Sequence, residues 1–72
     1  MRYKGNIPNY VTETDWERIK ETVFPAMQLV LVSKKDREIV VDIPPIFNDA
    51  QNKSFMSAGG WIENIELVTD EN

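Results

Sequence analysis

Leu29, Val30, Leu31 and Val32 form one unbroken apolar run, and Ile39, Val40 and Val41 form another. Between them lies Ser33-Lys34-Lys35-Asp36-Arg37-Glu38, which is polar throughout. Two short, β-branched runs around a charged tip predict a β-hairpin. The tip holds no Asn-Gly or Asp-Gly pair, so a connection of about four residues is expected in place of a tight primed turn. Pairing Ser33 with Glu38 then sets Val32 opposite Ile39, Leu31 opposite Val40, Val30 opposite Val41 and Leu29 opposite Asp42.

Side chains alternate faces along a strand. In this register Val30, Val32, Ile39, Val41 and Ile43 make the core face, with Gln28 at its edge. The opposite face carries Met27, Leu29, Leu31 and Val40, interrupted by Glu38 and Asp42. Leaving four such side chains in water forfeits roughly 6–12 kcal/mol at about 1.5–3 kcal/mol each, against a typical net stability of about 5–15 kcal/mol. Something should cover that second face: either the C-terminal half of the chain, or a second protomer or partner protein.

Upstream, Thr14-Asp15-Trp16-Glu17 fits a capping box, with Asp15 and Glu17 in the first turn where the helix dipole favours negative charge. Trp16, Ile19 and Val23 recur at helical spacing with Phe24 beside them, leaving Arg18, Lys20 and Glu21 on the wet side. Pro25 disfavours helical geometry at Phe24 and is expected to end the helix there. A helix of about ten residues is marginal alone and must pack on the sheet. Residues 1 to 11 read as an irregular arm with enough apolar surface (Tyr3, Ile7, Tyr10, Val11) to dock.

After the hairpin, Pro44-Pro45 stops strand pairing because neither residue has an N–H to donate. Ile46 to Ser57 reads as loop with a turn of helix at most, which Asn48 could cap. Gly59-Gly60 breaks the chain. Trp61 to Val68 reads as a last strand, with Trp61, Ile65 and Leu67 on one face and Ile62 and Val68 on the other; Glu63 interrupts the alternation and keeps a helical reading open. Residues 69 to 72 form a polar tail. The expected fold class is α+β in a single domain over residues 1–72, one N-terminal helix packed on an antiparallel sheet of about three strands. A small curved β-barrel is the alternative.

Composition then narrows the chemistry. The 72 residues include no cysteine and no histidine. Thiolate metal sites, disulfides, Cys–His and Ser–His–Asp catalysis and histidine-ligated haem are thereby discarded. The N-terminal stretch lacks the apolar core of a signal peptide and no apolar run approaches a membrane span, so a cytoplasmic protein without membrane attachment is expected. Net charge is -4, which argues against duplex nucleic acid as a main partner. From Trp61 onward the chain holds Glu63, Glu66, Asp70 and Glu71 with no Lys or Arg.

Candidate sites are few. Glu38 and Asp42 share one hairpin face, but that spacing arises in any half-exposed strand, so no catalytic pair is inferred. Ser57-Ala58-Gly59-Gly60 lacks the Lys and Ser/Thr of a phosphate loop, and the segment from Asp49 lacks the ligand spacing of a calcium loop. No cofactor or metal is implied. The expectation is a non-enzymatic protein-interaction module, in the manner of a bacterial or phage accessory protein. It would bind a protein partner or itself through Met27, Leu29, Leu31, Val40 and Trp61, with an acidic rim of Glu38, Asp42, Glu63 and Glu66. The alternative is a nucleic-acid-associated protein in which Lys34, Lys35 and Arg37 at the hairpin tip contact the backbone and aromatic side chains stack on bases.

Overall fold

A computed structural model describes residues 1–44 and 48–68. The fold is α+β: two helices on one side of an open, four-stranded antiparallel sheet. In chain order the elements are β1 (Arg2–Asn6), α1 (Glu13–Met27), β2 (Val30–Lys35), β3 (Glu38–Asp42), α2 (Asp49–Ser57) and β4 (Glu63–Leu67). The sheet order is β2-β3-β1-β4, so β2 and β4 are edges and the barrel alternative is not realised.

The N-terminal arm is the largest difference from the sequence reading. Arg2–Asn6 is an inner strand, paired with β3 through Tyr3↔Val41 and with β4 through Tyr3↔Leu67. Its alternation is real: Tyr3, Gly5 and, just beyond, Ile7 are buried, while Arg2, Lys4 and Asn6 are exposed. Gly5 hides the pattern because it supplies no apolar side chain. A Cβ there would lie 2.7 Å from Ile62 Cδ1, so the absent side chain is what lets Ile62 pack onto the strand.

Helix α1 keeps the predicted stripe. Trp16 and Phe24 are buried, and Ile19, Val23 and Met27 pack against the core. Its cap lies two positions earlier than the sequence reading placed it: Thr12 accepts from the Asp15 N–H and Asp15 accepts from the Thr12 N–H. Pro25 does not end the helix, which runs on to Met27 and closes on Gln28 in the left-handed region at φ 57°. A proline in the last turn forgoes one backbone bond, and its fixed φ suits a helix. The Leu29 and Gln28 N–H groups still donate to Phe24 and Pro25 carbonyls.

The segment read as loop is α2, where Asn48 and Gln51 form a capping box. Residues 45 to 47, with the second proline of the Pro44-Pro45 pair, lie outside the described residues, as does the tail from 69 to 72. Helix α2 buries only Asn52 and Met56, which is why its apolar periodicity is faint. The core joins these helices to Tyr3, Ile39, Val41 and Ile43 and, ahead of β4, to Trp61 and Ile62. An aromatic cluster sits at its centre: Phe24 lies 5.7 Å from Trp16, nearly perpendicular, and 5.5 Å from Trp61.

Candidate functional site

The hairpin forms, but its register differs from the expected one. The turn is Asp36-Arg37, with Lys35 opposite Glu38 and Lys34 opposite Ile39. Asp36 takes the first central position at φ 57°, a conformation that Asp tolerates better than most residues. So Lys34 and Lys35 are strand residues rather than tip residues. A slip of two positions keeps every side chain on its expected face, whereas a slip of one inverts them. The inversion comes from a β-bulge: Ser33 opposes Val40 and Leu31 opposes Val41, leaving Val32 as the extra residue.

Beyond that bulge the two faces of β2 exchange roles. Leu31 turns toward the core and Leu29 is buried, while Val30 is 60% and Val32 43% exposed. Two leucines enter in place of two valines, a gain of about 0.8 kcal/mol per additional buried methylene. Four residues expected to await a partner therefore belong to this chain's own interior. Leu29 and Trp61 are buried, and Met27 and Leu31 pack against the core. Val40 alone remains on the outer face, half-buried. On β3 the expected core residues Ile39, Val41 and Ile43 are inside; on β2 the expected core residues Val30 and Val32 are not.

The surface that results is the outer face of the sheet, which neither helix covers. Val30, Val32 and Val40 make its apolar part. Beside them run two ion pairs. Arg2 Nε meets Asp42 Oδ1 at 2.9 Å and Arg2 Nη2 donates to Asp42 Oδ2 at 3.3 Å, while Lys4 Nζ lies 3.6 Å from Glu66 Oε1. The bidentate contact from Arg2 holds the Asp42 carboxyl below the usual carboxylate range. A hollow of about 500 Å³ opens at this corner, between Gln28, Val30, Arg2, Asp42 and Pro44.

The basic residues are divided among different tasks. Arg37 ties the turn to the loop before α1, its guanidinium donating to the carbonyls of Pro8 (2.7 Å), Val11 (3.1 Å) and Ile7 (3.4 Å). Lys34 lays its ammonium 6.0 Å from the centre of the Trp16 ring. Both border a cleft of about 540 Å³ with Ile7, Val11, Thr12 and Trp16, but Glu13 and Asp36 border it too. The cleft is thus close to charge-balanced and is no anion funnel. Lys35 points to the outer face, on the side of Glu38.

Polar groups that sequence reasoning missed lie under α2. The Tyr3 hydroxyl is fully buried and donates to Asp49 Oδ1 at 2.9 Å, while Asn52 Nδ2 donates to the Tyr3 oxygen at 3.3 Å. Burial, reinforced by Asp49, pushes the Tyr3 phenol up. No pattern in the sequence pairs residue 3 with residues 49 and 52; only the fold does. Among the described residues no group of three acidic side chains is placed to hold a metal ion, and no helix is long and apolar enough to cross a membrane. No family model, no curated protein and no solved structure matches the chain.

Proposed function

We propose that this chain is a small, non-enzymatic protein-interaction module, of the accessory kind that modulates another protein or associates with itself. Its contact surface is the outer face of the sheet along β2 and β3, centred on Val30, Val32 and Val40. The observation that carries this reading is the exposure of Val30 and Val32 (60% and 43%) on an edge strand beside Val40. Leaving two valines about half exposed forgoes part of the roughly 1.5–3 kcal/mol that burial of each would contribute. A binding surface recovers it on association. The mixed ion pairs Arg2–Asp42 and Lys4–Glu66 rim the patch and give an approaching partner both signs of charge, which favours orientation over raw affinity.

Light scattering across concentration, joined to copurification of stoichiometric complexes, tests this reading with Val30→Lys and Val40→Lys. The wild type forms a complex, with itself or with a purified partner, and both folded variants lose it. A wild type that forms no complex, or variants that retain it undiminished, would overturn the outer face as the contact surface.

A further inference from the structure

Among the described residues the sheet has two open edges, β2 and β4, and their residues are complementary to each other. Every β2 residue runs antiparallel to β3, β3 to β1 and β1 to β4. Four alternating strands leave the two edges pointing in opposite directions. A second copy set beside the first in the same orientation therefore brings its β4 antiparallel to β2, the arrangement needed to continue the ladder.

Charge decides the partner. Among the described residues Lys4, Lys20 and Lys53 each have a carboxylate within ion-pair distance, and Arg2 has Asp42. Lys34 and Lys35, the only charged residues of β2, have none. Edge β4 carries Glu63 and Glu66 and no cation; Glu66 meets Lys4 of the neighbouring strand, and Glu63 has no cation within ion-pair distance among the described residues. Setting Lys35 opposite Glu63 of a second copy also sets Leu31 opposite Leu67 and Val30 opposite Val68. The faces agree at all three positions. Lys35 and Glu63 lie on the outer side through the chain Lys35↔Glu38↔Asn6↔Glu63, and Leu31 and Leu67 lie on the helix side through Leu31↔Val41↔Tyr3↔Leu67. Val30 shares the outer side with Asp42 and Arg2, and the Val68 N–H donates to the Arg2 carbonyl, placing Val68 there too. Each edge carries one bulge between these matched ends, at Val32 on β2 and between Glu63 and Glu66 on β4. The two strands have the same number of residues to span, and their faces differ only between the bulges, where Ser33 falls opposite the core-packed Ile65.

We infer that a second copy of this chain docks edge to edge, its acidic β4 on the basic β2, in a head-to-tail contact that continues the sheet. This rests on the reading above that the chain works by binding protein, and it names one partner for the β2 side. Such a contact is heterologous: it uses two different surfaces of each copy and so builds chains or rings rather than a closed pair. Lysines and bulges on an edge are otherwise the devices that keep edges apart, and only a strand of opposite charge removes that barrier.

Charge reversal separates the two. Sedimentation velocity over a concentration range, at low salt, compares the wild type with Lys35→Glu and Glu63→Lys, each checked for an unchanged circular-dichroism spectrum. The wild type grows past the dimer as concentration rises. Each variant alone places like charges at the contact and associates at least about tenfold more weakly. Mixed in equal amounts, the two variants associate again, because the acidic β2 of one meets the basic β4 of the other. A wild type that stays monomeric to millimolar concentration, or a mixture as weak as its components, overturns the inference and leaves the edge lysines as guards. If the wild type associates, both variants still do, and Val40→Lys alone abolishes it, the copies meet face to face. The broader reading then stands while the edge contact falls.

Discussion

Gly5 lies against Ile62 so closely that a Cβ on the glycine would sit 2.7 Å from Ile62 Cδ1, 2.8 Å from Cγ1 and 3.1 Å from the Glu63 carbonyl oxygen. Ile62 is itself buried and cannot swing away freely. Gly5→Ala is expected to destabilise the fold by about 1–3 kcal/mol, the usual range for overpacking. This holds even though alanine suits a strand interior better than glycine. Denaturant unfolding checks it, with Ile62→Val as the second arm. The double variant should recover part of the loss, and additive losses would show that the two side chains do not compete for the same space.

Arg37 belongs to the fold rather than to a free basic tip. Three carbonyls of the loop before α1 accept from its guanidinium, and lysine cannot reproduce that fork. Arg37→Ala and Arg37→Lys should both lower stability, the alanine variant by about 1–3 kcal/mol, while Lys35→Ala stays within about 0.5 kcal/mol of wild type. Urea midpoints at constant slope read these differences. Equal, negligible effects of all three would show that these hydrogen bonds do not hold the turn to the loop.

Leu29, just ahead of β2, and Val32 within it should respond in opposite ways to a charge. Leu29→Lys places an ammonium in the core and is expected to remove about 4 kcal/mol or more, enough to unfold a domain of this size. Val32→Lys stands on the bulge, already 43% exposed, and should leave thermal stability nearly unchanged. Circular dichroism with heating compares them directly. The reverse order would restore the unbulged register.

Two groups give the stability a pH dependence at the extremes. Arg2 lowers the folded-state pKa of Asp42 by hydrogen bonding, so its contribution is present above the unfolded carboxylate pKa and fades as pH falls through the lower folded value. The pair is 44% and 40% exposed, which keeps that contribution small. Tyr3 is shifted upward, chiefly by burial. Its contribution is complete below the unfolded phenol value near ~10 and is lost as pH rises from there through the folded value. Arg2→Gln should flatten the acid limb and Tyr3→Phe the alkaline limb, each leaving the other unchanged.

These relationships also show which parts of the molecule were legible in the chain. The α+β class, the Trp16 to Phe24 stripe and the β2–β3 hairpin follow from periodicity, which local physics controls. Strand β1 escaped because Gly5 blanks the middle of its apolar alternation, and α2 because one polar residue, Asn52, shares its buried side with Met56. The faces of β2 were exchanged by a single bulge. Alternation assigns relative faces along an unbroken strand, but one extra residue at Val32 exchanges the faces of everything before it. No propensity encodes that residue. What selects it is the tertiary preference for two leucines inside. Val40 kept its place because β3, pinned between two neighbours, carries no bulge.

The central claim is that protein binds at the β2 side of the sheet, with Leu29, Leu31 and Trp61 serving the interior. Backbone amide spectra of labelled protein across a dilution series, and with any purified partner, address it most directly. The account predicts concentration-dependent shifts at Val30, Val32, Val40 and the residues beside them, with Leu29, Trp61 and the α1 stripe unmoved. Shifts centred on the helices, or none anywhere up to millimolar protein and saturating partner, would contradict it.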